Sequence, residues 1–258
     1  TTEIYTLSLH DALPILPYRS YHFLWNALDW VFPPACCGCG KLGDRWCHSC
    51  LNQVIRLEDV PICPICGAPT PNASLCHECR NNPPDFTALR SWGIYHGSLR
   101  QAIQQLKYER NIGLGETFAP LLLSLLGSLE WEFDLMIPVP LSKQRFQERG
   151  YNQSKYMAIP LHLALDIPIS DRALVRTQHT TSQVGLTGQE RRENVCHAFT
   201  AHSEEVEEKN ILVIDDVTTT GATMRACSTA LMEAGARKVY GITLARAGLA
   251  AHPESLLG

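Results

Sequence analysis

Two patterns in this 258-residue chain combine residue types and spacing that can do chemistry. The first is Asp215-Asp216-Val217-Thr218-Thr219-Thr220-Gly221-Ala222-Thr223, which follows the apolar run Asn210 to Asp215 (NILVID). Adjacent carboxylates accept hydrogen bonds from neighbouring sugar hydroxyls. A turn rich in threonine hydroxyls, with a glycine that lets the backbone approach closely, presents N–H groups and a helix N-terminus to an anion. The pattern therefore points to a phosphorylated sugar. An ordinary helix cap is the competing explanation, but a cap needs one such residue, not two acids, four threonines and a glycine in nine positions. No G-x4-G-K-S/T run occurs, so a nucleoside triphosphatase loop is not expected.

The second pattern is four C-x2-C pairs: Cys36/Cys39, Cys47/Cys50, Cys63/Cys66 and Cys76/Cys79. Each pair can turn two sulfurs toward one ion, and two pairs complete a tetrahedral zinc shell that leaves no position for water, so the zinc would be structural. A short segment poor in large apolar residues also needs such a staple to fold. Sequential pairing gives two zinc sites; interleaved pairing is equally compatible with the spacing. Cys37 is the spare thiol unless it replaces Cys36, and His48 and His77 read as solvent-facing rather than as ligands. Cys63-Pro-Ile-Cys66 alone would suit a redox dithiol, but four pairs together favour metal. Between Cys36 and Arg80 four basic residues balance four acidic ones, which does not make a phosphate-gripping surface.

The elements that must position these groups follow from periodicity. Leu89 to Tyr95 reads as a strand, followed by a helix through Ala102, Ile103, Leu106 and Lys107 and a second over about Leu114 to Leu129. Leu135 to Val139 is a short strand that ends in a proline-bounded loop, and a helix runs from about Asn152 to Leu165. Strands at Ala173–Val175 and Val195–Phe199 flank a polar stretch, Arg176 to Asn194, too long for an ordinary connection and read as a functional loop. Asn210 to Asp215, a helix from Ala222 to Ala234 closed by Gly235, and the strand Val239 to Ala245 complete the pattern. Alternating strands and helices predict an α/β domain with a parallel sheet covered on both faces. The expected division is residues 36–82 for the cysteine module and 86–248 for the α/β domain, with Asn81-Asn82-Pro83-Pro84 as the break.

Thr1 to Ile15 (TTEIYTLSLHDALPI) resembles translated sequencing-adapter read-through, so residues 1–16 are set aside as non-native, a genuine short N-terminal helix being the competing reading. Residues 17–35 form a leader in which Tyr21 to Phe32 is expected to be a short helix packed on the domain rather than a membrane-surface anchor. Hydrophobic content of 45% and charged content of 19% suit a soluble globular protein, and a net charge of −4 supplies no general pull toward nucleic acid or membrane. No run of about 18 apolar residues exists, so no membrane span is expected. With no export signal recognised, the expected location is cytoplasmic.

The segment Ile211 to Thr223 is similar to the motif that binds 5-phosphoribosyl 1-pyrophosphate (PRPP) in type I phosphoribosyltransferases. The whole arrangement resembles the ComF family, in which a double zinc ribbon precedes such a domain. Lys107-Tyr108, Pro138-Val-Pro-Leu141, Arg149-Gly-Tyr-Asn-Gln153, and Gln183 through Arg191, Asn194 and Phe199 extend the match. The resemblance implies that Asp215 and Asp216 hold the ribose, and that Thr218, Thr219, Thr220, Gly221, Ala222 and Thr223 hold the 5-phosphate. Pro140 to Lys143 would face the pyrophosphate. Lys107, Arg145, Arg149 and Arg191 are candidates to neutralise that leaving group, with Mg²⁺ accompanying PRPP; Tyr151, Asn152 and Gln153 are helix caps on the plainer reading. Thr177, Gln183, Arg191, Arg192 and Asn194 would close over the ligand, whereas His179 reads as a solvated loop histidine. No side chain stands out as a base. The family is linked with competence, DNA uptake and use of DNA as a nutrient. The alternative to an enzyme is an adaptor that binds PRPP without turnover, or single-stranded DNA along Arg145, Arg149, Arg191 and Arg192, or other DNA-uptake proteins.

Overall fold

The computed structural model describes residues 15–177 and 198–248. In chain order the helices are α1 (Ile15–Val31), α2 (His48–Leu51), α3 (His77–Asn81), α4 (Gly97–Tyr108), α5 (Leu114–Gly127), α6 (Lys143–Arg149), α7 (Gln153–Leu165), α8 (Ser203–Val206) and α9 (Ala222–Glu233). The strands are β1 (Ala88–Ile94), β2 (Leu135–Pro138), β3 (Leu174–Arg176), β4 (Phe199–Ala201), β5 (Asn210–Thr218) and β6 (Lys238–Arg246).

β1, β6, β5 and β2 lie side by side in that order, all parallel, and β3 and β4 form a separate antiparallel pair. Strand alternation splits the apolar side chains between two cores. Leu212, Ile214, Ile242 and Leu244 meet α4, α5 and α7 through Ile103, Leu106, Phe118 and Leu161. On the other face Ile211, Val213 and Val239 meet α9 and the β3–β4 pair through Cys227, Leu231, Leu174 and Phe199. Each such side chain, fully buried, contributes about 1.5–3 kcal/mol. α9 ends as its sequence suggests: Gly235 takes φ 94°, its N–H donates to Met232 O (3.0 Å), and Ala236 N donates to Leu231 O (3.0 Å).

Both margins of the sheet are engaged. On β1, Leu89 N donates to Ile65 O (2.7 Å) and Ile94 N to Ile55 O (2.9 Å), so the cysteine module lies along this strand. On β2, Met136 N donates to Pro168 O (2.9 Å) and Ser170 N to Met136 O (3.0 Å).

Three sequence expectations shift. β5 continues to Thr218 rather than stopping at Asp215, so both acids lie within the strand. β4 begins at Phe199, and residues 178–197, which hold His179, Gln183, Arg191, Arg192, Asn194 and Val195, lie outside the described residues. α6 was not anticipated, because KQRFQER carries no apolar period; Ser142 Oγ caps it by accepting from Arg145 N (3.3 Å).

α1 begins at Ile15, inside the stretch that the sequence set aside. It rests on α7 and is tied to α5 by His22 Nδ1 at 2.6 Å from the buried Glu116 Oε1. Phe23, Leu24, Leu28 and Val31 stay exposed. Among the described residues no helix is long and apolar enough to cross a membrane.

Candidate functional site

β5 delivers the chain to a tight turn at the carboxyl end of the sheet, where ligands sit in open parallel sheets. Thr219 and Thr220 are exposed, and Gly221 is buried with φ 82°, a conformation that other residues adopt only at a cost. α9 starts directly after it, and Thr220 Oγ1 accepts from Ala222 N (3.4 Å). Asp215, Thr218, Thr219, Gly221, Ala222 and Thr223 all line one cleft, joined by Thr243 from β6.

The strand's alternation separates the two acids. Asp215 follows Ile211 and Val213 to the α9 face and borders the cleft, with its Oδ1 accepting from Ser154 Oγ (3.2 Å) and Asp216 N (2.9 Å). Burial pushes its carboxyl up to about 7, and the neighbouring Asp216 adds to the rise against the opposing pull of Lys107. Asp216 points to the α4 face, is buried at 4% exposure, and has the Lys107 ammonium 2.8 Å from its Oδ2. That approach is a charge contact, off the line of a well-formed hydrogen bond. The two acids are therefore adjacent in sequence but not side by side at the cleft.

Of the pyrophosphate-side candidates, Lys107 alone among the described residues reaches the acids. Asn152 caps α7 by accepting from Ser154 N (3.0 Å), and its Nδ2 donates to Val139 O (2.9 Å), fixing the exit of β2. Arg149 is buried, donating to Gln153 Oε1 (2.8 Å) with its guanidinium 5.1 Å from the Tyr108 ring centre, while Tyr151 donates its hydroxyl to Leu106 O. Arg145 is exposed on α6, and Arg191 lies outside the described residues. Lys107, Asp215 and Asp216 thus come together, Arg149 is a structural neighbour of that group, and Arg145 stands in solvent. Sequence reasoning missed Ser154 and Thr243. Ser154 was findable, since it lies two residues past the Asn152 cap on the helix that follows the proline loop; Thr243 looks like any strand residue.

The cysteines resolve into sequential tetrads, Cys36/Cys39/Cys47/Cys50 and Cys63/Cys66/Cys76/Cys79, with all sulfurs of each within 4.8 Å of one another. Zinc about 2.3 Å from four tetrahedral sulfurs sets them roughly 3.8 Å apart; Cys39 and Cys47 are 3.7 Å apart, and Cys66 and Cys76 3.6 Å. Burial alone would raise the Cys36 thiol, but N–H groups of Cys47, Cys39 and Gly38 outweigh it and bring it down to about 6. Cys50 and Cys79 are pushed the other way, by burial and then by their partner thiols. Four sulfurs so close together cannot all ionise without a cation, which is what a structural zinc supplies. Cys37 is buried outside the tetrad, its thiol raised to about 12 by burial and by Cys36. His48 and His77 are exposed and pair with Asn52 and Asn81.

Comparisons with known proteins find two domain families in the chain. Residues 27–80 match the double zinc ribbon domain, and residues 152–255 match the phosphoribosyl transferase domain. Competence protein F of Haemophilus influenzae is 31% identical across 78% of this chain and 90% of its own length. The DNA utilization protein YhgH of Escherichia coli K12 is 31% identical across 70% of this chain and 82% of its own. Competence protein ComFC of Bacillus subtilis is 30% identical across 80% and 86%. Relatives matched over nearly their full length, across both the tetrads and the sheet, place the chain in the ComF family.

Proposed function

We propose that the chain binds PRPP with Mg²⁺ in the cleft at the carboxyl end of β5, beside β6, and that it serves the handling of DNA for which its relatives are named. The observation that carries this reading is Asp215 bordering the same cleft as the Thr218–Thr223 turn. The 5-phosphate would sit against the N–H groups and hydroxyls of that turn. Asp215 would accept from the ribose hydroxyls, and Asp216, held by Lys107, would keep that end of β5 charge-balanced. Pro140 to Lys143 would face the diphosphate.

As an enzyme, the chain would transfer the phosphoribosyl group to a nitrogen acceptor. The C1–O bond breaks with its electron pair leaving on pyrophosphate, the nitrogen lone pair forms the C1–N bond, and the nitrogen's proton passes to solvent or pyrophosphate. Mg²⁺ would offset the diphosphate charge. Positive charge develops on the ribose, so an ionised Asp215 nearby stabilises it. The contribution of the described residues is positioning and electrostatics.

A second reading, single-stranded nucleic acid binding, is favoured by a groove beside the cleft of about 620 Å³. It is lined by Phe146, Tyr151 and Tyr156, aromatic rings of the kind that stack bases, with Lys143 beside them and Lys155 paired with Asp171 in the same groove. Arg149, buried on Gln153, is not part of such a path.

Calorimetric titration of PRPP with Mg²⁺ against wild type and Asp215→Ala tests the first reading. Heat with wild type and its loss in the variant support it, and no heat with wild type removes it. Pyrophosphate release across purine, pyrimidine and amine acceptors then separates turnover from binding alone. Salt-dependent oligonucleotide binding, lost on Lys143→Glu with Lys155→Glu, tests the second.

A further inference from the structure

The two zinc ribbons are attached to the α/β domain in different places. The first docks on α4, where Ser98 Oγ donates to Cys50 O (2.6 Å) and Gln105 Nε2 to Cys37 O (3.5 Å). The second lies directly behind the phosphate loop. Arg246, the last residue of β6 and only 4% exposed, donates from Nη1 to Thr219 O (3.2 Å) and from Nη2 to Cys66 O. One guanidinium therefore joins the backbone of the loop to the backbone of a zinc ligand.

Further contacts follow the same line. Arg225, on the first turn of α9, donates to Asn82 O (2.8 Å) and stands 4.0 Å from Cys79 Sγ. A Cβ built on Gly67, in the second ribbon, would lie 2.5 Å from Leu89 O, and the Leu89 side chain lies 3.9 Å from where a Cβ on Gly221 would be. A buried cation needs charge compensation. Zinc with four thiolates carries a net charge of −2, and Arg246, Arg225 and Arg90 surround the second tetrad, Arg90 donating to Pro64 O (2.9 Å).

We propose that Arg246 is a positioning residue of the phosphate loop, and that through it the second zinc ribbon forms part of the ligand site. The metal-organised Cys66 carbonyl fixes the guanidinium, the guanidinium fixes the Thr219 carbonyl, and the peptide units that follow are held with their N–H groups toward the anion. The ligand side of this inference rests on the proposed PRPP site; the ordering of the loop does not.

The test compares wild type, Arg246→Met and Arg246→Lys by zinc content, melting temperature, amide hydrogen exchange over residues 218–223 and titration with ribose 5-phosphate. Loss of one charge-assisted bridge is worth about tenfold. Arg246→Lys should retain two zinc ions and wild-type melting, since it keeps a cation near the thiolates. It cannot span both carbonyls, so loop exchange should rise about tenfold and ribose 5-phosphate bind about tenfold more weakly. Arg246→Met should loosen the loop at least as much. If lysine restores wild-type loop exchange and affinity, the arginine serves only as a charge and the proposal fails; it fails equally if the methionine variant leaves the loop unchanged. Should Arg246→Met lose zinc or misfold, the lysine variant decides alone. Should wild type bind neither ribose 5-phosphate nor PRPP with Mg²⁺, the functional reading falls and loop exchange by itself decides this one.

Discussion

Replacing Asp215 by asparagine should stabilise the protein while weakening its ligand site. The carboxyl is raised from 3.8 to about 7 by burial and by Asp216. Between about pH 4 and pH 7 the unfolded chain releases this proton and the folded chain keeps it. Stability therefore falls as pH rises through that window and levels off above it. The full displacement corresponds to at most about 4 kcal/mol. Solvent in the cleft reduces this to about 1–2 kcal/mol. Asparagine keeps the shape and still accepts from Ser154 and Asp216 N, without the charge. Asp215→Asn should accordingly melt about 2–8 °C above wild type at pH 8, with the gap narrowing to about half at pH 5.5. Its affinity for Mg²⁺ and PRPP should drop at least about tenfold. Thermal melts at the two pH values read the first effect and calorimetry the second. A variant that melts below wild type at pH 8, or a gap of equal size at both values, refutes the reasoning.

Other substitutions probe neighbouring features. Lys107→Met strands the buried Asp216 carboxylate and should cost about 3–5 kcal/mol in urea unfolding; Lys107→Arg should recover most of it. Gly67→Ala forces a Cβ against Leu89 O at a position with φ 68°, so limited proteolysis should begin to cut within residues 61–80 while residues 88–94 stay protected. Metal analysis should find two zinc ions per chain. Stripping them with a strong chelator should unfold residues 36–80, seen as loss of amide protection there, whereas a single zinc would contradict the two separate tetrads.

Much of the architecture was legible because its signals are local. NILVID reads as a buried strand, and the helix after Gly221 announced its end through Gly235. The C-x2-C spacing gave the ligand set but not the pairing, since sequence distance does not say which pairs fold together. The site was legible as a composition and illegible as a geometry. Two adjacent acids suggested two carboxylates side by side, but β5 runs through them, and strand alternation sends Asp216 to Lys107 and only Asp215 to the cleft. α6 escaped because a seven-residue polar helix has no period to read. The bridge from Arg246 to Thr219 and Cys66 joins residues far apart in the chain, and nothing near Arg246 marks it.

The second feature with wide reach is the way the cysteine module lies along β1. Ile55 and Ile65 occupy backbone groups that would otherwise offer a ready template to any passing extended chain. Zinc thus does more than hold its own ribbons: it keeps a sticky flank of the sheet out of circulation. Metal-stripped protein should then self-associate through that flank, with turbidity that grows with protein concentration and disappears when zinc is restored before the strands lock together.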